Sequence, residues 1–83
     1  MSHEVYWESA FTAQAAKYLQ DDPVGLAELI SVTDALTDDP FPQDSVAWGE
    51  TYRRLHYGRY RVLYRLDHPE TGQVSLINLG YIG

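Results

Sequence analysis

The sequence predicts an α+β domain in which a helical hairpin packs on one face of a small, mostly antiparallel β-sheet. Two segments between residues 10 and 37 place apolar side chains at helical spacing, with only a very short turn between them. Beyond the prolines at 40–42 the apolar side chains alternate as they do in strands. The predicted order is β-α-α-β-β-β in a single domain, 1–83.

Local signals place each predicted element. The β-prone run Val5-Tyr6-Trp7 forms a short first strand. Ser9 is the expected N-cap of a helix over about residues 10–20, and Asp22 caps a second helix that has Pro23 at its first position. The second helix should bury one stripe of residues: Leu26, Leu29, Ile30, Thr33 and either Leu36 or Thr37.

Three strands should follow, over roughly residues 46–57, 59–67 and 73–79. The last of these is the most apolar, so we expect it inside the sheet rather than at its edge. Trp48 has the size to fill space beneath the second helix.

The first two of these strands form a basic hairpin. A two-residue Tyr57-Gly58 loop pairs His56 with Arg59 and Arg54 with Arg61. Because Tyr57 poorly suits the positive φ of such a loop, a bulged three-residue loop is the alternative. Alternation predicts a basic face that carries Arg54, His56, Arg59, Arg61 and Arg65. It predicts a core face that carries Leu55, Tyr57, Tyr60, Val62, Tyr64 and Leu66.

Two interpretations of the basic face remain open. It is either an anion or phosphate site, or a solvated face whose arginines cover apolar surface and pair with carboxylates elsewhere. The net charge is −6, yet residues 1–50 carry −9 and residues 51–83 carry +3. The acidic total disfavours non-specific nucleic-acid binding, whereas the local charge of the hairpin permits it.

Composition and motif spacing bear on the location of the protein and on whether it holds a metal or cofactor. The absence of cysteine, of a signal peptide and of a membrane-length apolar run predicts a cytoplasmic protein with no membrane partner. The acid pairs at 21–22 and 38–39 lie where helix caps and turns favour aspartate, and His3 and His68 show no ligand spacing. We therefore predict neither a metal site nor a cofactor.

The run from Arg54 to Tyr64, together with the element order, resembles the RelE/ParE superfamily of toxins from bacterial type II toxin–antitoxin systems. It follows the superfamily pattern of basic, apolar, basic, apolar, glycine, any residue, tyrosine, arginine, two aliphatic residues and tyrosine. His56 stands where a second arginine or lysine is usual. The resemblance implies a cognate antitoxin as partner.

For RelE-like members the resemblance implies metal-independent cleavage of messenger RNA on the ribosome, in which the ribose 2′-hydroxyl attacks the adjacent phosphate. Arg61 would hold that phosphate, Arg54 would add positive charge, and His56 would be a general base or acid, or else simply a histidine at a turn. Arg59 and Arg65 would contact the RNA backbone.

The C-terminal segment departs from this pattern. Relatives usually carry an arginine and then a tyrosine after the last strand, whereas this chain has Leu79-Gly80-Tyr81-Ile82-Gly83. Tyr81 would be the catalytic or base-stacking aromatic, or else a residue that closes the sheet edge. The main hypothesis is therefore a ribosome-dependent mRNA endonuclease. The alternatives are a ParE-like DNA gyrase poison and an inactive, antitoxin-binding relative.

Overall fold

The computed structural model describes residues 5–68 and 73–82, without the side chain of His68. Its elements are β1 (Val5–Trp7), α1 (Ser9–Asp21), α2 (Pro23–Asp34) with a short 3₁₀ turn (Ala35–Thr37), β2 (Ser45–Ala47), β3 (Tyr52–Tyr57), β4 (Tyr60–His68) and β5 (Gln73–Tyr81). The predicted α+β architecture is confirmed. The interpretation of His3 and most of the predicted 68–72 loop lie outside the described residues.

The strands form one sheet in the order β1-β5-β4-β3-β2. β1 runs parallel to β5, and every other neighbouring pair is antiparallel. The prediction that the last strand lies inside the sheet is confirmed, since β5 has β1 on one side and β4 on the other. No helix within the described residues is long and apolar enough to cross a membrane.

The predicted strand over residues 46–57 is instead two strands. The chain reverses between Ala47 and Tyr52, so that Val46 of β2 pairs with Arg54 of β3. Gly49 adopts a φ of +94° there, a conformation that side chains other than glycine rarely tolerate. In the described part of the chain, four strands therefore follow the helices rather than three. The reversal also removes Trp48 from its expected place beneath the second helix and leaves it 54% exposed.

Asp22 alone connects the two helices. Its Oδ1 accepts a hydrogen bond of 3.1 Å from the Gly25 amide, and Pro23 takes the first position of α2, as predicted. Its Oδ2 accepts a second bond, of 2.9 Å, from the hydroxyl of Tyr60 in β4. The prediction for α1 was one residue late, because the N-cap is Glu8 and Ser9 already belongs to the helix.

The helices cover one face of the sheet, and the core lies between the helices and that face. We call this the closed face, which carries Leu55, Val62 and Leu76, and we call the opposite face, which carries Arg54, His56 and Arg61, the open face. The predicted stripe of the second helix is confirmed, with Ile30 half-buried and its other members in α2 buried. Of the two residues expected to end it, Leu36 in the 3₁₀ turn is the buried one, and Thr37 is half-buried. The buried apolar side chains are Phe11, Ala15, Leu26, Leu29, Leu36, Leu55, Tyr60, Val62, Tyr64, Val74, Leu76 and Leu79.

Candidate functional site on the open face

The turn between β3 and β4 consists of Gly58 and Arg59 rather than Tyr57 and Gly58. Tyr57 pairs with Tyr60, so that His56 lies opposite Arg61 and Arg54 lies opposite Leu63. The predicted pairs were thus wrong by two residues. Gly58 takes the positive φ, +56°, at the first loop position, where a type II′ turn requires it. A loop starting at Tyr57 would have demanded that angle of a bulky residue.

The predicted faces nevertheless hold for the strand residues. Side chains alternate with a period of two, so a register change of two residues leaves each on its original side. On the closed face, Leu55, Val62 and Tyr64 are at most 2% exposed. Arg53 also lies on that side, as expected, with its guanidinium over the Phe41 ring.

Arg54 and Arg61 meet at a depression in the open face, which we call the open-face pocket. Its volume is about 230 Å³, and its lining consists of Trp48, Arg54, Arg61, Leu63, Asn78 and Gly80. Strands β3, β4 and β5 and the β2–β3 turn all contribute to it. The Cζ atom of Arg54 lies 5.0 Å from the centre of the Trp48 ring. Within the described residues its guanidinium makes no hydrogen bond or ion pair.

Arg61 is held by the turn that precedes it. Its Nη1 donates to the carbonyl oxygens of Gly58, at 2.9 Å, and of Tyr60, at 2.8 Å. These two bonds use both hydrogens of Nη1 and leave the three on Nε and Nη2 for a ligand. The guanidinium is therefore oriented by the protein and still has donors available, which is the arrangement expected of an anion-binding arginine.

His56 is the direct cross-strand neighbour of Arg61 and is exposed. Residues opposite each other in an antiparallel pair have Cβ atoms about 5 Å apart, so an anion bound by Arg61 lies within reach of the imidazole. Its side chain makes no hydrogen bond to any other described residue. The corrected register brings a titratable group closer to Arg61 than the predicted one did.

The other two arginines differ in their surroundings. Arg59 is exposed in the turn. Arg65 lies four residues beyond Arg61 in β4, where its Nε is 2.6 Å from Asp67 and its Nη2 is 3.7 Å from Glu8. The hydrogen bond with Asp67 raises the pKa of Arg65 above its usual value. Two carboxylates thus offset its charge, and the structure does not bring Arg65 to the open-face pocket.

Tyr81 lies apart from the Arg54, His56 and Arg61 group. It pairs with Tyr60, and its ring packs against Tyr60 and Tyr18 at centroid distances of 5.0 and 5.8 Å, on the side of the helices. The residue as a whole is 46% exposed. Of the two roles expected for Tyr81, this placement agrees with closing the sheet edge. It gives no support to the catalytic one.

Sequence reasoning missed four residues that line the pocket: Trp48, Leu63, Asn78 and Gly80. The signal for Trp48 was Gly49, which marks a reversal rather than a strand interior. Asn78 and Gly80 alternate with the buried Leu79 and so belong to the open face. Among the described residues, no group of three or more histidine, aspartate or glutamate side chains is arranged to share a metal ion.

Solved structures with the same fold include bacterial toxins. A chain of the Escherichia coli DinJ–YafQ toxin–antitoxin complex superimposes with a TM-score of 0.69 at 13% identity, over 98% of this chain and 93% of that chain. A metal-bound toxin from Helicobacter pylori gives a TM-score of 0.66 at 17% identity, over 96% and 94%. YafQ from E. coli strain BL21(DE3) gives 0.64 at 16% identity, over 96% and 93%.

No protein-family model matches the sequence, and neither does any curated protein. At these identities the likeness to solved structures establishes the fold. The fold implied by the resemblance to RelE/ParE toxins is therefore confirmed.

Proposed function

We propose that this chain is the toxin of a type II toxin–antitoxin system and acts in the cytoplasm as a RelE-like, ribosome-dependent mRNA endonuclease. The observation that carries the proposal is the meeting of Arg54, His56 and Arg61 on the open face. Two cations at one pocket, with a histidine directly opposite Arg61 in the sheet, suit phosphate chemistry. The shared fold supports the toxin role, and the DinJ–YafQ complex supports a cognate antitoxin as partner.

The proposed reaction uses the RNA's own nucleophile. The ribose 2′-oxygen forms a bond to the adjacent phosphorus while the bond from phosphorus to the 5′-oxygen breaks, which gives a 2′,3′-cyclic phosphate and a 5′-hydroxyl. A base removes the 2′-hydroxyl proton and an acid supplies one to the leaving oxygen. The protein must also stabilise the extra negative charge that develops on the phosphate oxygens.

The residues of the open face divide these tasks. Arg61, oriented by two carbonyl oxygens, would hold the scissile phosphate with its remaining donors. Arg54 would add a second positive charge. His56, opposite Arg61, would act as the general base or acid, since an imidazole is the only side chain type among the three that commonly transfers protons in catalysis. Arg59, exposed in the turn, would contact the RNA backbone.

Transcript 5′-end mapping soon after induction in growing cells tests this function. We expect new ends inside translated codons with the wild type and none with an Arg54→Ala/Arg61→Ala double variant. The control is Lys17→Ala, which removes a positive charge from α1 and should leave the new ends unchanged. Circular dichroism and a melting curve establish that the double variant is folded.

Other outcomes contradict the proposal in different ways. Growth arrest with a DNA-damage response and no new transcript ends would identify a gyrase poison. Neither arrest nor new ends, with no antitoxin present, would identify an inactive relative that binds an antitoxin. The placement of Tyr81 outside the pocket is the observation that favours such an inactive relative over the nuclease.

A further inference from the structure

We propose that the open-face pocket binds one unstacked base of single-stranded RNA, which stacks on Trp48 and Arg54 and is read at its edge by Asn78. The inference rests on the proposed function and adds a subsite for the nucleotide beside the scissile phosphate. It adds Trp48 of the β2–β3 turn and Asn78 and Gly80 of β5 to the Arg54, His56 and Arg61 group that carries the chemistry, and it shares Arg54 with that group.

The exposure of Trp48 is the first argument. Trp48 is 54% exposed and lines the pocket, whereas Trp7 is half-buried with its ring 5.0 Å from that of Phe11. A large aromatic side chain left in water beside an arginine is typical of a binding surface. Indole rings and guanidinium planes both stack on nucleobases, and here the two lie together.

The shape of the pocket is the second argument. Leu63, which pairs with Arg54 and lies two residues from Arg61, contributes an apolar surface, and Gly80 contributes no side chain. A Cβ atom at Gly80 would meet only the Arg61 carbonyl oxygen, at 4.0 Å, so packing against the protein does not require glycine there. At about 230 Å³ the pocket is smaller than the roughly 300–1,000 Å³ typical of sites for larger ligands. This size suits one base.

Asn78 supplies a means of telling bases apart. It is exposed, pairs with Leu63 across the β4–β5 ladder, and makes no side-chain hydrogen bond within the described residues. Its amide offers a donor and an acceptor side by side, which match the N7 acceptor and N6 donor of adenine. We therefore expect adenine to be preferred at this position.

The charges in the pocket favour a nucleotide over an uncharged aromatic ligand. Arg54 and Arg61 both line it, so a phosphate joined to the stacked base has two cations within the same depression. The protein alternative is an acidic peptide with an aromatic residue, which would use the same ring and the same cations. The experiment below separates the two, because only RNA shows a preference among bases.

Tryptophan fluorescence locates the ligand. The chain contains two tryptophans, so a Trp7→Phe variant leaves Trp48 as the sole indole. We expect saturable quenching of its emission by short RNA oligomers with 2′-O-methyl groups, strongest for oligoadenylate, and none by inorganic phosphate. An emission unchanged at millimolar oligomer, or quenched equally by every base sequence, would overturn the inference.

Fluorescence anisotropy of a labelled oligoadenylate then tests individual residues in the otherwise unaltered chain. Trp48→Ala and the pocket-filling Gly80→Leu should each weaken binding by about 10-fold to 100-fold, the range expected for loss of one base–aromatic stack. Asn78→Ala should abolish the preference for adenine. The matched control is Phe41→Ala, which removes the ring beside Arg53 on the closed face and should leave affinity unchanged in the folded fraction.

Failure of this inference and failure of the proposed function are distinguishable. The methylated oligomers cannot be cleaved, so their binding does not depend on catalysis. Wild-type affinity in both Trp48→Ala and Gly80→Leu would overturn the base pocket even if transcripts are cut in cells. Conversely, the purified protein could show quenching with the expected base preference while transcripts in cells remain intact. That result would contradict the nuclease and retain the pocket.

Discussion

Arg53 and Arg54 are neighbours in β3, and each has its Cζ atom 5.0 Å from the centre of an aromatic ring. Arg53 on the closed face also donates to Ser45, from Nε to Oγ at 3.0 Å and from Nη2 to the carbonyl oxygen at 3.1 Å. Arg54 on the open face contacts the Trp48 ring, and its guanidinium makes no hydrogen bond to another described residue. The same residue type thus has its donors occupied on one face and available on the other.

Four other polar groups of the hairpin follow the same division, and Arg65, which is paired with Asp67 and Glu8, is an exception. On the closed face, the Tyr60 hydroxyl donates to Asp22 and the Tyr64 hydroxyl donates to the Pro40 carbonyl oxygen at 2.7 Å. On the open face, His56 lacks a side-chain partner among the described residues, and Arg61 has one nitrogen satisfied and two available. We therefore expect changes on the closed face to lower stability and changes at the open-face pocket to lower binding and activity.

The largest expected effect is on catalysis by the Arg54→Ala variant. Loss of one charge-stabilising donor typically lowers the rate about 10²-fold to 10³-fold. Stability should change by less than about 1 kcal/mol, the value of an exposed cation–π contact. Cleavage of a ribosome-bound transcript and urea unfolding measure the two quantities. A variant as active as the wild type would remove Arg54 from the site.

Arg53→Ala should show the opposite behaviour. It removes the hydrogen bonds to the buried Ser45 and should lower the free energy of unfolding by about 2 kcal/mol. For a domain of this size that corresponds to a Tm lowered by roughly 8–16 °C. Cleavage per folded molecule should be retained at low temperature. Unchanged stability would show that these bonds contribute no more than those that water offers the unfolded chain.

Tyr60→Phe tests the closed face through pH. Burial, and then the hydrogen bond to Asp22, raise the pKa of the Tyr60 hydroxyl to about 12. Because the unfolded chain releases this proton near pH 10, the folded state binds more protons between about pH 10 and 12, and stability falls as pH rises through that window. The variant should be about 1 kcal/mol less stable at neutral pH and should show a shallower alkaline decline. Equal alkaline slopes would contradict the cause assigned to the shift.

The smallest expected effect separates Arg59 from Arg65. Removal of one phosphate contact lowers the slope of log affinity against log salt by about 0.7 for single-stranded RNA. Arg59→Ala should show this change, whereas Arg65→Ala should show less, because Asp67 and Glu8 already offset its charge. Anisotropy over a range of salt concentrations measures both. A larger change in this slope for Arg65→Ala than for Arg59→Ala would show that Arg65 contacts the RNA backbone after all.

The sequence predicted the faces of the hairpin better than its register. Alternation of Leu55, Val62 and Tyr64 with basic residues fixes the side of each residue, and that information survives a shift of two. Register depends instead on the conformation of the turn, and the choice between Tyr57-Gly58 and Gly58-Arg59 depended on which residue would take the positive φ. The helix caps were predictable because Asp22 and Pro23 act locally.

The pocket lay largely beyond sequence reasoning. Trp48 reaches it only because the chain reverses at Gly49, and an isolated glycine in an apparent strand does not specify a turn by itself. Asn78 and Gly80 come from β5, which is distant in sequence and becomes a neighbour of Arg61 only through the β4–β5 pairing. Tyr81 is adjacent to Gly80, yet the same alternation directs it to the other side.

The uneven distribution of charge would also affect how the molecule meets RNA, its proposed substrate. The helices and the loop after them carry exposed carboxylates at Asp21, Glu28, Asp34, Asp38 and Asp39. The open-face pocket instead carries two arginines. An approaching phosphate backbone is repelled from the helical side and attracted to the sheet, over distances of about one Debye length, roughly 8 Å in physiological salt. Each encounter is thereby biased towards an orientation in which the pocket meets the strand first, and the net negative charge restricts capture to that approach.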